Sequence, residues 1–373
     1  MRKILPLNMQ VGITVECWNY YRLALILTDR KYYPWYLWHL NQYYIDNNLQ
    51  FTLDINNDMV SYYNDIIKTS EVNASNLINE IIRGIDEENY FMVYVDRYFM
   101  KEDVFFKNQR YLHEILIYGY DINEKYFIYI DINTQSGNYE TYRISFDDLL
   151  IAFHAWYDEF DTESRQNRWV NNFLVVHGLY PVNRIELRHD IDQEIKLHLF
   201  AKDIRHILKG NAYTDKCTGN FLYSGIRVYD GYNEKLLEEL EKNLHFLKEG
   251  NDISRGKSNF WILTHFKGMY ECKKEFTCKL LYINKVTEKE VFEKELLDDI
   301  KRLYGFLKQT YELLCKFYFK ADKGILNRIS LNLVKAKKED NEILYKSYNR
   351  LIEFLKKDCA SRYMWEERRE YII

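Results

Sequence analysis

Three residues among the first 131 are of the types that together make a nucleophile site: a thiol, an imidazole and a carboxylate. Cys17 sits in VECWNYYRLAL, where the pattern passes from loop to helix. A thiol at a helix N-terminus has its thiolate favoured by unpaired N–H groups and by the helix dipole. The same backbone can donate the Cys17 N–H to an oxyanion. A cysteine is more often a small buried hydrophobe, so Cys17 needs partners before it reads as a nucleophile. His113 and Asp131 are the candidates. His113 opens HEILIYGYDINEKYFIYID, in which DINEK separates two alternating stretches. A hairpin centred on Ile122 puts His113 opposite Asp131 across the ladder. An Asp there holds the imidazole tautomer and stabilises its cation. Asn133, two residues along on the same face, is a rival orienting group. A surface His–Asp pair is the ordinary alternative.

The elements that must position these residues follow from period. Residues 18–30 have helical spacing, with Tyr20, Ala24 and Leu27 on one face. Tyr32–Tyr44 is interrupted by Pro34, which suits a helix first turn. NASNLINEIIRGI, within 71–85, reads as a helix ending at Gly84 or just beyond. From Tyr90 the period becomes two, and YFMVYVD, LHEILIYGYD, KYFIYIDI and YETYRI are strand candidates. Ser145 then begins the helix SFDDLLIAFHAW. A charged stretch at 157–168 marks the boundary between expected domains 1–165 and 166–373, although NNFLVVHGLYPV, over 171–182, reads as a strand and turn of the first sheet. Beyond Asn183 the pattern is mainly helical, including 186–208, 234–249, 294–320 and 345–358, and Lys335–Glu342 reads as a solvated face or loop. The expected class is α+β.

Composition narrows the function. A chain of 373 residues is enough for two ordinary domains. The 34 Tyr are attributed to the base composition of an AT-rich genome, so they carry no functional argument. A net charge of -4 argues against a general nucleic-acid binder. With no 18-residue apolar run, no membrane partner is expected. The N-terminus lacks a signal-peptide pattern. Six cysteines without a CxxC pair suggest neither zinc nor a disulfide framework, and the expected compartment is cytoplasmic. No Gly-rich phosphate loop is present, so no ATP site is read.

A Cys at a helix start, then H-x-x-x-x-x-G-Y-D and a second strand ending in Asp, resembles the papain-like C39 peptidases. More closely it is similar to the N-terminal domain of acyltransferases of the butirosin biosynthesis protein H type. The resemblance covers the first 160 residues, and the helical half, with SGIRVYDGYNEKLLEEL and FKGMYECKKEFTCKLL, is similar to the helical domain of those enzymes. It implies a papain-like (C39-type) cysteine protease fold followed by a mainly α-helical substrate- and carrier-binding domain. Cys17 would be the nucleophile, His113 the base and acid, Asp131 the orienter and Gln10 the oxyanion-hole donor. Trp18 and Asn133 would belong to the substrate pocket, with Trp35 and Trp38 as further shields. Glu16-Cys17 is followed by Trp18 where those peptidases have Gly, and Gln10 lies one residue too far from Cys17. The peptidases are also usually fused to a transporter, and no such membrane segment is read here. These departures favour a stand-alone acyltransferase of a thiotemplated pathway, such as those that build non-ribosomal peptides, antibiotics or polythioamides. Its partners would be an acyl or peptidyl carrier protein, presenting phosphopantetheine, and a small amine acceptor, with no other cofactor and no metal. Arg227 and Lys267–Lys274 could meet the acidic carrier. The alternatives are a cysteine peptidase or thioester hydrolase on the same triad, and a catalytically silent papain-fold binding protein.

Overall fold

The computed structural model describes residues 1–53, 63–133, 137–158, 172–192, 194–214, 221–238, 257–320 and 322–357. In chain order the elements begin with β1 (Arg2–Ile4), α1 (Cys17–Ile26), α2 (Tyr33–Leu37), β2 (Tyr43–Asp46), β3 (Phe51–Leu53) and β4 (Ile67–Glu71). Then come α3 (Leu77–Asp86), β5 (Tyr90–Asp96), β6 (Leu112–Asp121), β7 (Tyr126–Ile132), β8 (Tyr139–Ser145), α4 (Phe146–Tyr157) and β9 (Val182–Leu187). The rest is α5 (Leu197–Lys209), β10 (Ala212–Thr214), β11 (Phe221–Ser224), α6 (Lys257–Thr287), α7 (Lys294–Lys320) and α8 (Lys323–Lys357), with short helical turns between some of them. The chain is mixed α and β, with antiparallel sheets and a helical C-terminal part. It forms two compact units, 1–33 with 56–192 and 34–55 with 193–373. The boundary expected near residue 165 lies outside the described residues, as does most of the charged stretch that suggested it. Pairing of β2 with β11 draws residues 34–55 into the second unit.

The first unit is built on a seven-stranded sheet, ordered β4-β9-β5-β6-β7-β8, with β1 continuing beside β6. The four strands predicted from alternation are β5 to β8. All of β5 is buried, as suits a central strand covered on both faces. On one face α4 is held by the Trp156 indole N–H, which donates to the Tyr94 carbonyl at 2.9 Å. Ser145 caps α4 by accepting from the Asp148 N–H at 3.0 Å, as the sequence predicts. α3 ends at Asp86, just beyond Gly84 as expected, and Gly84 packs so closely that a Cβ there would fall 2.2 Å from the Phe91 ring. Residues 172–176 are helical rather than a strand, and the sheet strand that follows is β9.

Between β6 and β7 the register shifts at Ile117/Gly119, leaving Tyr118 as an extra residue on β6. Gly119 faces β1 so closely that a Cβ would meet the Lys3 carbonyl at 2.9 Å. Asp121 pairs with Tyr126, so the hairpin is centred between Asn123 and Glu124 rather than on Ile122, and the extra residue offsets that shift by one. Leu116 pairs with Ile130, which continues to Asp131 beside Ile115 and diagonal to His113.

The second unit combines the four-stranded sheet β10-β11-β2-β3 with long helices, α7 packing against both α6 and α8. Lys335–Glu342 is not a loop: it lies within α8, and Asp340 is 1% exposed. The Asp340 carboxylate pairs with Lys273 Nζ at 2.6 Å and accepts the Tyr229 hydroxyl at 3.0 Å. Lys273 Nζ also donates to the Tyr43 hydroxyl at 3.0 Å, so one buried ion pair joins α6, α8, β2 and the 228–231 turn. The helix predicted over 234–249 runs beyond residue 238 outside the described residues. Asp340→Ala leaves a buried ammonium without its anion and is expected to destabilise the protein by about 3–5 kcal/mol. Adding Lys273→Met should recover part of that loss in urea denaturation followed by circular dichroism; an undiminished loss in the double variant would contradict the pairing.

Candidate active site

Cys17 is the first residue of α1, following an extended Glu16 at the N-cap. No side chain caps this end, so its first-turn N–H groups lack intrahelical acceptors. Residues 19 to 26 of α1 are all buried, so the helix is enclosed rather than laid on the surface. The 8–10 segment runs beside it: the Asn8 N–H donates to the Ala24 carbonyl at 2.9 Å, and the Tyr20 hydroxyl to the Met9 carbonyl at 3.1 Å. Tyr21 anchors α1 to the sheet, its hydroxyl lying 3.2 Å from the Glu114 carbonyl and 3.1 Å from Asp131 Oδ1.

This docking brings Cys17 Sγ to 3.4 Å from His113 Nε2. The neighbouring Glu114 also reaches the sulfur, with Sγ 3.0 Å from Oε1. His113 Nδ1 is 2.8 Å from the Glu114 carbonyl oxygen, which can only accept. That contact requires the proton on Nδ1 and leaves the Nε2 lone pair facing the thiol. Asp131 Oδ1 lies 3.7 Å from Nδ1, beyond hydrogen-bond length. Tyr111 braces the ring from outside, stacked at 5.7 Å with planes 16° apart.

Asp131 is 1% exposed. Its carboxylate pairs with Arg97 at 2.7 Å and accepts the Ile132 N–H at 2.7 Å. Burial raises its pKa, and the Arg97 and His113 charges and the Ile132 N–H oppose the rise. Arg97 also bonds Asp103 at 2.5 Å. Burial is the main reason the Cys17 thiol titrates well above its ordinary value. The Glu114 charge and hydrogen bond push it further in the same direction, then the Asp131 charge, while the Trp18 N–H works against them. The thiol is therefore held protonated at rest, with Nε2 and Glu114 as rival acceptors. The helix-terminal activation expected from Cys17's position is outweighed by burial and by an adjacent carboxylate.

The structure thus brings Cys17, His113 and Asp131 together. Gln10 is exposed, and its backbone N–H donates to Asn8 Oδ1 at 2.9 Å; none of its hydrogen bonds reaches Cys17. Trp18 is half-buried, edge-on to Tyr63 at 6.5 Å. Asn133 is not a partner of His113: its side chain donates to Glu140 at 3.1 Å, and it lines a cavity of about 130 Å³ with Asp131, Arg97 and Tyr129. Trp35 and Trp38 belong to the second unit, where both rings lie against His39. Of the basic residues considered for a carrier, Lys273 is buried against Asp340, Lys267 pairs with Glu271 at 3.4 Å, the 45% exposed Arg227 pairs with Asp230 at 2.8 Å, and Lys274 is exposed. Sequence reasoning missed Glu114, Arg97, Tyr21 and Tyr111. Glu114 had one available signal, as an acidic residue inside an apolar strand run next to His113. Among the described residues, Cys17, His113 and Glu114 form a group whose sulfur, nitrogen and oxygen atoms lie within 4.8 Å of one another. No described helix is long and apolar enough to cross a membrane.

Neither a scan against protein-family models nor a search of curated proteins finds a match to the chain. Glu114→Gln removes the nearest anion from the thiol and is expected to lower the Cys17 pKa, speeding its alkylation by iodoacetamide about tenfold at neutral pH, one pKa unit's worth. The pH profile of alkylation, read on the Cys17 peptide by mass spectrometry, checks this. An unchanged profile would mean that burial alone holds the thiol protonated.

Proposed function

We propose that the protein is a cysteine-dependent acyltransferase that forms amides from carrier-protein thioesters. The observation that carries this reading is the approach of Cys17 Sγ to a His113 ring whose Nδ1 contact leaves Nε2 free to accept. Nε2 takes the thiol proton, and the thiolate attacks the acyl thioester. The Cys17 N–H at the start of α1 would donate to the resulting oxyanion. The carrier's pantetheine thiol leaves with the proton from His113, giving acyl-Cys17. An amine then attacks, His113 removes its proton, and the amide departs with the thiol restored. Asp131 favours the transient imidazolium, and Tyr21 and Arg97 hold Asp131 in place.

The papain-like, C39-type relationship and the biosynthetic setting rest on the sequence resemblance, and the departure of the Cys17 surroundings from the peptidase pattern is what favours transfer. Peptide or thioester hydrolysis would use the same residues and differs only in the final acceptor. A silent binding protein is the reading favoured by the Glu114–thiol contact, because that contact keeps the nucleophile in its unreactive form.

Incubation with acyl-carrier thioesters should add the acyl mass to the protein, as read by intact-mass spectrometry, and the adduct should be lost entirely in Cys17→Ala. In His113→Ala acylation should slow by about 10²–10⁴-fold. Added amine should discharge the adduct as amide. Free acid as the sole product would establish hydrolysis, and no adduct from any thioester would favour the silent protein.

A further inference from the structure

The geometry assigns a second property to the same cluster: Cys17, His113 and Glu114 form a binding site for a zinc-type divalent cation, and the ion blocks the nucleophile. Three observations converge. The donor set is one thiolate, one imidazole and one carboxylate, a combination that selects borderline-soft ions over magnesium or calcium. The spacing also fits. With Zn–S of about 2.3 Å and Zn–N and Zn–O of about 2.0–2.2 Å, tetrahedral angles require ligand separations of roughly 3.3–3.6 Å. The observed separations are 3.4 Å from Sγ to Nε2, 3.0 Å from Sγ to Glu114 Oε1 and 3.9 Å from Nε2 to Glu114 Oε2. The two Glu114 distances are to different carboxylate oxygens; with one oxygen as ligand the three donor atoms lie within 4.8 Å of one another, so a turn of the Glu114 carboxylate closes the site.

The outer contacts fit as well. A metal-bound histidine normally donates its other N–H to a carbonyl or carboxylate. His113 Nδ1 faces the Glu114 carbonyl at 2.8 Å, with Asp131 at 3.7 Å. Nε2 is therefore presented as a ligand whether its partner is a proton or a metal. The cluster is not fully enclosed, since Cys17 is half-buried and the His113 side chain is 13% exposed. Three protein ligands leave a fourth position for water.

In binding, Zn²⁺ replaces the thiol proton, which leaves to solvent. The sulfur lone pair, the Nε2 lone pair and a Glu114 oxygen enter its coordination shell, and no electron is transferred. The occupied sulfur can neither attack a thioester nor meet an alkylating agent. Binding itself stands on the three side chains; its inhibitory consequence rests on the acyl-transfer reading.

Titration of the full chain with Co²⁺ tests the site. A thiolate-to-cobalt charge-transfer band saturating at one ion per chain is expected, absent in Cys17→Ser and weaker in Glu114→Gln. Competition with a zinc indicator should show affinity falling more than about tenfold in Glu114→Gln. Zn²⁺ should also protect the Cys17 peptide from iodoacetamide, with EDTA restoring the reaction. A band that persists in Cys17→Ser, or alkylation of Cys17 undisturbed by saturating Zn²⁺, overturns the site. Circular dichroism of each variant separates lost ligands from lost fold, and His113→Gln gives an independent arm that should also lose affinity. If Zn²⁺ protects the thiol but no thioester ever acylates it, the metal site stands and the acyltransferase reading falls. If acylation proceeds unchanged with Zn²⁺ present, the acyltransferase reading stands and the metal site falls.

Discussion

The carboxylate of Asp131 is the fixed point of the first unit. It has almost no contact with water, and an unpaired buried anion is costly enough that its surroundings must be built to satisfy it. Arg97 supplies the countercharge from the turn after β5, Tyr21 a hydroxyl from α1, and the Ile132 amide a backbone donor. These groups come from three separate elements. Satisfying one carboxylate therefore sets where the start of α1 lies against the sheet. The thiol–imidazole approach is a consequence of that placement.

The chemistry of the cluster turns on a competition for one proton. His113 and Glu114 are consecutive on β6, yet both reach the Cys17 sulfur. The imidazole is the acceptor suited to catalysis, because it can carry the proton to a leaving group. The carboxylate instead stabilises the thiol form. Nearby Arg22, buried within α1, interacts electrostatically with Glu114 while its guanidinium is held to the Trp18 carbonyl at 3.1 Å. In the structure the sulfur is thus in contact with a carboxylate as well as with the imidazole.

Much of the secondary structure was legible because it follows from period and local chemistry. Alternation located β5 to β8, and Ser145 marked the start of α4. The helix after Cys17 was legible too, although it ends at Ile26 rather than 30. The 172–176 helix was misread because a short apolar run looks alike in either state. Lys335–Glu342 is a largely solvated helix face, as its dense charges suggest, whereas Asp340 within it is internal because Lys273, far away in sequence, neutralises it.

The sequence by itself determined the participants Cys17, His113 and Asp131, since residue type and the strand and helix patterns around them depend only on neighbours along the chain. It also determined that α1 begins at the thiol. Only the tertiary structure decided how those residues meet. The turn is centred between Asn123 and Glu124 rather than on Ile122, and the extra residue Tyr118 offsets this by only one position, so Asp131 lies diagonal to His113 rather than opposite it. Glu114, Arg97 and Tyr21 enter the site through packing between elements distant in sequence. The state of the thiol was decided there as well, because desolvation and the approach of a second carboxylate are properties of a folded interior.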